Sequence, residues 1–217
     1  MEQGLYMLNT YLPRRQRHAR PEPQARSRGQ ALVEFSLILI PLMMIFLGIL
    51  QFGLLFGSQL GLINSTREGT RYGATLQATG SSADAAQVYC YTLGMDSSGA
   101  NCSIGGTVQP GTLGRSMPGY VKANVCVSGS GYCGGYSSSA TYCYYADPNV
   151  STDSLRLNVT IVYRHPLFVP LISSIVDLID GQPDNALRVS TTESFRVEGV
   201  SSTVPGTDWP GVSQCTN

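Results

Sequence analysis

The chain has 217 residues, with fourteen basic and fourteen acidic side chains, six cysteines and a mean hydropathy of +0.01. The zero net charge hides an asymmetry: residues 1–28 hold six arginines against two glutamates, whereas residues 29–217 hold eight basic against twelve acidic residues. The larger part is mildly acidic, which argues against nucleic acid as a partner, because phosphate binding wants a concentrated basic face.

In chain order, residues 1–29 form a basic leader. From Ala31 to Ile63 the chain is apolar, broken only by Glu34, Ser36, Pro41, Gln51, Ser58, Gln59 and several glycines. A bilayer core needs about 20 apolar residues, so residues 30–63 are expected to form a single transmembrane helix. A cleaved secretory signal would have a shorter apolar region and an Ala-x-Ala-like site, and neither is present. The arginines Arg14, Arg15, Arg17, Arg20, Arg26 and Arg28 keep the leader in the cytoplasm, which exports the C-terminal part across the cytoplasmic (inner) membrane.

Glu34 is the one acid inside that run. A carboxylate near hydrocarbon either snorkels to the headgroups or has a partner and a function. Farther along, Gly53, Gly57, Gly61, Ser65, Gly69 and Gly73 recur at every fourth position. Such a small-residue ridge lets a second helix approach closely, so these six are expected to pack against other helices. Pro41 should kink the helix where neighbours compensate its lost hydrogen bond.

Residues 64–95 read as a helical stem, with the first helix running on to Ala78 and a second at Ala83–Leu93, capped by Ser82 and ended by Gly94. The exported domain then covers 96–217. Asp96 to Gly119 reads as loop. Alternation predicts strands at Tyr120–Val127, at Leu155, Leu157, Val159, Ile161 and Tyr163, and at Leu187–Val197, where Glu193 on the apolar face suggests an edge strand or a shortened one. Pro166–Asp180 reads as a short amphipathic helix packed across the sheet, with a membrane-lying position as the lesser alternative. Ser128–Tyr145, rich in Gly, Ser and Tyr, reads as a disulfide-tied surface loop, and tyrosine-rich loops suit binding surfaces.

Cys90, Cys102, Cys126, Cys133, Cys143 and Cys215 all follow the apolar run, an even number in an oxidising compartment, and are expected to form disulfides of open connectivity. No Cys-x-x-Cys pair occurs and His165 is the only exported histidine, so neither a metal nor a cofactor is expected. No nucleophile elbow, phosphate loop or dinucleotide fingerprint is present, and no catalytic activity is expected. The fold class expected is α+β: a long N-terminal transmembrane and stem helix, then a small antiparallel sheet, a short helix and disulfide-tied loops.

Gly29, Glu34 and Phe35 look like the site read by prepilin peptidases, which cut after a glycine and before a hydrophobic helix with glutamate at its fifth position. The block Arg28–Ala74 more closely resembles the TadE-like family, the minor pilins or pseudopilins of the Tad (Flp-type) pilus machinery. The matching pieces are Gly29-Gln-Ala-Leu-Val-Glu34-Phe35, Pro41, Gln51-Phe52-Gly53 and Arg67-Glu68-Gly69-Thr70-Arg71-Tyr72. The resemblance implies cleavage between Gly29 and Gln30, and an assembly role for Glu34 and Phe35 in which Glu34 neutralises the new N-terminus of a neighbouring subunit. It implies as partners a prepilin peptidase, other pilin or pseudopilin subunits, the pilus assembly platform and the lipid bilayer, in a fibre serving surface attachment or secretion. The alternative is a membrane-tethered binding module, in which the helix is a tether only.

Overall fold

The computed structural model describes residues 27–76, 80–117, 119–128, 133–145, 154–198 and 211–215. The leader expected at 1–29 therefore lies almost wholly outside the described residues, as does Ala78. The chain divides into two units, Met1–Met43 and Met44–Asn217.

One helix, α1 (Ser27–Thr75), contains Pro41 and carries the whole apolar run. By length and composition it can cross a membrane. Within the first unit, Leu32, Val33, Phe35, Leu37, Ile38 and Ile40 are all exposed, so this stretch has no core of its own.

The second unit is a two-layer α+β structure. Helix α2 (Ser82–Leu93) starts one residue earlier than expected: Ser81 is the cap and its side chain accepts from the Asp84 amide at 3.3 Å. Gly94, at φ 69°, ends it by donating its amide to Cys90 O. Residues 64–95 thus supply the helical layer of this unit. Tyr72 of α1 stacks on Tyr91 of α2 with centroids 4.0 Å apart.

The region 96–119 is not wholly loop. It holds the hairpin β1 (Ser103–Ile104) and β2 (Thr107–Val108), turned by Gly105 and Gly106 at φ 59° and 80°, followed by one helical turn, α3 (Leu113–Ser116). Two consecutive positive φ angles are what a two-residue hairpin demands, and a Gly-Gly pair meets them without a Cβ penalty.

The main sheet has the order β5-β4-β3-β6, with β3 (Ser139–Tyr145), β4 (Ser154–Pro166), β5 (Ala186–Arg196) and β6 (Ser213–Gln214). β3, β4 and β5 are antiparallel, while the two-residue β6 pairs in parallel with β3. β4 follows its predicted period: Leu155, Leu157, Val159, Ile161 and Tyr163 are buried in one core with Leu62 of α1, Val88 and Leu93 of α2, Leu113 and Tyr142. β5 is an edge strand, as Glu193 suggested, and Glu193 meets Arg67 of α1 at 3.0 Å.

Three expectations are overturned here. Tyr120–Val127 is not a strand: it holds a 3-10 turn at Lys122–Asn124 and a single bridge, Val125 to Tyr163. β3 pairs with β4 only up to Thr160, so Cys126 reaches the remaining edge and donates to Val162 O at 2.9 Å. Lys122 pulls the turn inward by donating to Gly94 O at 2.7 Å and Asn101 Oδ1 at 2.6 Å. Second, Ser128–Tyr145 is not all surface loop, because its last seven residues form β3, with Tyr142 buried and its strand formers overriding the Gly/Ser context. Third, the helix expected at Pro166–Asp180 is α4 (Pro170–Asp180), while Pro166 ends β4. Its apolar side is not packed across the sheet: Leu171, Ile175, Leu178 and Ile179 are exposed, the last two by 84% and 80%.

All six cysteines are paired, Cys90 with Cys102, Cys126 with Cys133 and Cys143 with Cys215. The first ties α2 to the hairpin and the third ties β3 to β6. The second closes a loop over Val162, on the face of β4 away from the helices.

Candidate assembly helix

Gly29, Gln30, Glu34 and Phe35 lie in the first turns of α1, and a Cβ at Gly29 would meet nothing within 4 Å. Gln30 Nε2 donates to Glu34 Oε1 at 2.9 Å, one helical turn away. Phe35 is exposed. The start of the helix thus presents an accessible glycine, one carboxylate held by a neutral partner, and bare apolar side chains.

Beyond Leu50 the helix acquires two sides. Gln51 is 4% exposed, and its side chain ties the end of β4 to the start of α4: Nε2 donates to Pro166 O at 3.3 Å and Oε1 accepts from the Phe168 amide at 2.9 Å. Ser58 is buried, donating to Leu54 O at 2.9 Å and sharing a hydrogen bond with His165 Nδ1 at 3.0 Å. Burial holds the His165 imidazole below its ordinary pKa, so the neutral form is favoured, which suits a ring facing a hydroxyl. Ser65 meets the Thr112 hydroxyl at 2.8 Å. Two polar interruptions of the apolar run, Gln51 and Ser58, are therefore its contacts with the chain's own domain.

The small-residue ridge resolves in the same way. A Cβ on Gly61 would lie 2.8 Å from Met117 Cα, one on Gly69 would strike Thr92, and one on Gly73 would strike Leu157 and Val88. Ser65 is fully buried. Within the chain these four lie against its own α2, β4 and the segment around α3. Gly53 has nothing within 4 Å of its Cβ position and Gly57 is half-buried, so the lower end of the ridge is more open.

The block from Arg67 to Tyr72 has the same explanation. Arg67 reaches Glu193, Glu68 accepts from the Tyr91 hydroxyl at 3.3 Å, Gly69 admits Thr92, Thr70 is buried, and Tyr72 stacks on Tyr91. Among the described residues, the opposite side of α1 carries no such contacts. Phe52, Phe56 and Leu60, spaced by four, are 54%, 65% and 63% exposed. In the sequence the small-residue ridge marks the covered side without naming what covers it.

Among the described residues no cluster of three or more His, Cys, Asp or Glu side chains could hold a metal.

Residues 29–71 match the model of the TadE-like protein family, a stretch that lies wholly within α1. No curated protein and no solved structure matches the chain.

Proposed function

We propose that the protein is a minor pilin or pseudopilin, anchored in the cytoplasmic membrane by α1 with its N-terminus inside, that takes part in assembling a Tad-type (Flp) pilus used for surface attachment or secretion. The TadE-like match over residues 29–71 supports the pilus system. The observation that carries the assembly role is the division of α1: above Leu50 one side is buried under the domain, while Phe52, Phe56 and Leu60 on the other have no cover. Large apolar side chains in a row on an exported helix are an interaction surface. In a fibre they would pack against the α1 helices of neighbouring subunits, with Gly53 and Gly57 easing the approach.

Processing prepares the other end. Cleavage between Gly29 and Gln30 removes the leader and creates an α-ammonium at Gln30. Glu34 is then the fifth residue, and its carboxylate neutralises the ammonium of an adjacent subunit. A charge in hydrocarbon costs several kcal/mol unless it is paired, so pairing selects the aligned register over staggered ones.

The test is the intact mass and N-terminal sequence of the chain after co-expression with a prepilin peptidase, beside Gly29→Ala. A new N-terminus at Gln30, abolished by the substitution, is the expected result, with Glu34→Gln then cleaved but defective in pilus assembly. An uncut chain beside a competent peptidase overturns the reading. So does a Glu34→Gln variant that assembles normally.

A further inference from the structure

α4 is turned the wrong way round for a helix in water. Ser173 and Asp177 lie on its inner edge: Ser173 is 3% exposed, and Asp177 Oδ1 accepts from the Asn185 amide at 3.1 Å beside the start of β5, while Ser174 is exposed. Its apolar side, Leu171, Ile175, Leu178 and Ile179, points outward, joined by Phe168 at 68% exposure. A soluble domain gains by the opposite orientation, with the polar side in water.

The position of α4 says what covers it. Gln51 grips both ends of the Pro166–Phe168 connection, and a Cβ on Gly48 would lie 3.9 Å from Ile172 Cδ1. α4 therefore starts level with residues 48–51 of α1. There the helix is apolar except where Gln51 meets the domain, with Ile45, Phe46, Ile49 and Leu50 each half or more exposed. Counted from Ala31, the apolar run has by Leu50 supplied the about 20 residues that cross the hydrocarbon. The outward side of α4 is thus continuous with the lipid-facing surface of the anchor, at the depth where hydrocarbon gives way to headgroups.

We propose that α4 lies in the membrane interface on the side of the exported domain, with Phe168, Leu171, Ile175, Leu178 and Ile179 among the lipid acyl chains, so that the domain rests on the bilayer. The inference rests on α1 being a membrane anchor and adds to its assembly role a second, reversible membrane contact. An interfacial helix commonly needs lysines or arginines to draw it to anionic lipid. α4 has none, and needs none, because α1 already holds it at the surface. Apolar insertion alone then suffices. Leaving the membrane for a fibre would uncover this side, so extraction works against it.

The experiment uses the full chain in lipid vesicles of phosphatidylcholine and phosphatidylglycerol, some brominated on the acyl chains. Trp209, the only tryptophan, is replaced by Phe. Single reporters are then placed by Phe46→Trp in α1, Leu178→Trp in α4 and Phe195→Trp in β5. The expected result is quenching of the first two, several-fold stronger than of the third, with Leu178→Trp quenched best by lipids brominated near the headgroup. Quenching at Phe46→Trp without quenching at Leu178→Trp overturns this inference and leaves the anchor standing. No quenching at Phe46→Trp overturns the anchor and the inference together. Shielding of Leu178→Trp from brominated lipid that grows with the protein-to-lipid ratio assigns the surface to a second copy and also overturns it.

Discussion

β4 and α4 are adjacent in the chain, joined by Leu167 to Val169, and both are amphipathic, yet they dispose of their apolar sides in opposite ways. β4 turns Leu155, Leu157, Val159, Ile161 and Tyr163 into the core against α1 and α2, whereas α4 turns Leu171, Ile175, Leu178 and Ile179 away from the protein. Periodicity identifies which side of an element avoids water, and only the neighbourhood identifies the medium that replaces it. For β4 that medium is protein. For α4, beside the apolar collar of α1, it is lipid.

The comparison can be broken most forcefully at β4. Leu157 is fully buried where α1, α2 and the sheet meet, next to Gly73. Leu157→Ala is expected to lower stability by about 2–5 kcal/mol, read from denaturant unfolding in mild detergent followed by tyrosine circular dichroism. A loss below about 0.5 kcal/mol, the range of an ordinary surface change, would mean that the sheet does not rest on α1 as described.

The next effect tests the joint between the two elements. Gln51→Leu keeps the size of the side chain but leaves Pro166 O and the Phe168 amide without their partner. About 1–2 kcal/mol of stability should be lost. Hydrogen exchange at the Phe168 amide should quicken, while exchange in the middle of β4 follows only the global change. Unchanged exchange at Phe168 would show that α4 is placed by something other than α1.

How much of this was legible in the sequence follows from the same physics. β4 could be read directly because its period is unbroken and its partners are all protein. β3 was hidden because Gly and Ser precede it, although Ser139–Tyr145 itself carries the aromatic residues of a strand. Tyr120–Val127 has a strand's alternation, but Lys122 finds carbonyl partners that only the fold brings near. The ridge from Gly53 to Gly73 announced a close approach without naming the partner, since a neighbouring subunit and the chain's own α2 ask the same thing of a glycine. Gly29, Gln30 and Glu34 carry their resemblance to a processing site in the sequence alone, and the fold adds only the contact of Gln30 with Glu34. Gln51 and Ser58 were not legible as contacts, because a polar residue in an apolar run looks the same whether it faces lipid or a buried histidine.

His165, at the β4 end of the joint, gives a pH signature. Its ordinary value is 6.5 and burial lowers it in the fold, so as pH falls through that value the unfolded chain takes up the proton first. Stability should therefore be undiminished by this group above about pH 6.5, fall below it, and level off once the folded imidazole protonates too. His165→Gln, which keeps a donor for the Ser58 hydroxyl oxygen, should flatten that part of the profile. Its measurement is the unfolding midpoint between neutral pH and the carboxylate range, and an unaltered slope would remove His165 as the source.

The smallest effect is the sharpest test of the contrast. Leu178 is 84% exposed on α4, so Leu178→Ser removes no packing from the domain and opens no cavity. In mild detergent the unfolding of the sheet should shift by less than about 0.5 kcal/mol, although the residue removed is as apolar as Leu157. A loss comparable to that of Leu157→Ala would mean that α4 folds its apolar side onto protein in solution. β4 and α4 would then share one core, and the side chain that looks outward would be holding the domain together.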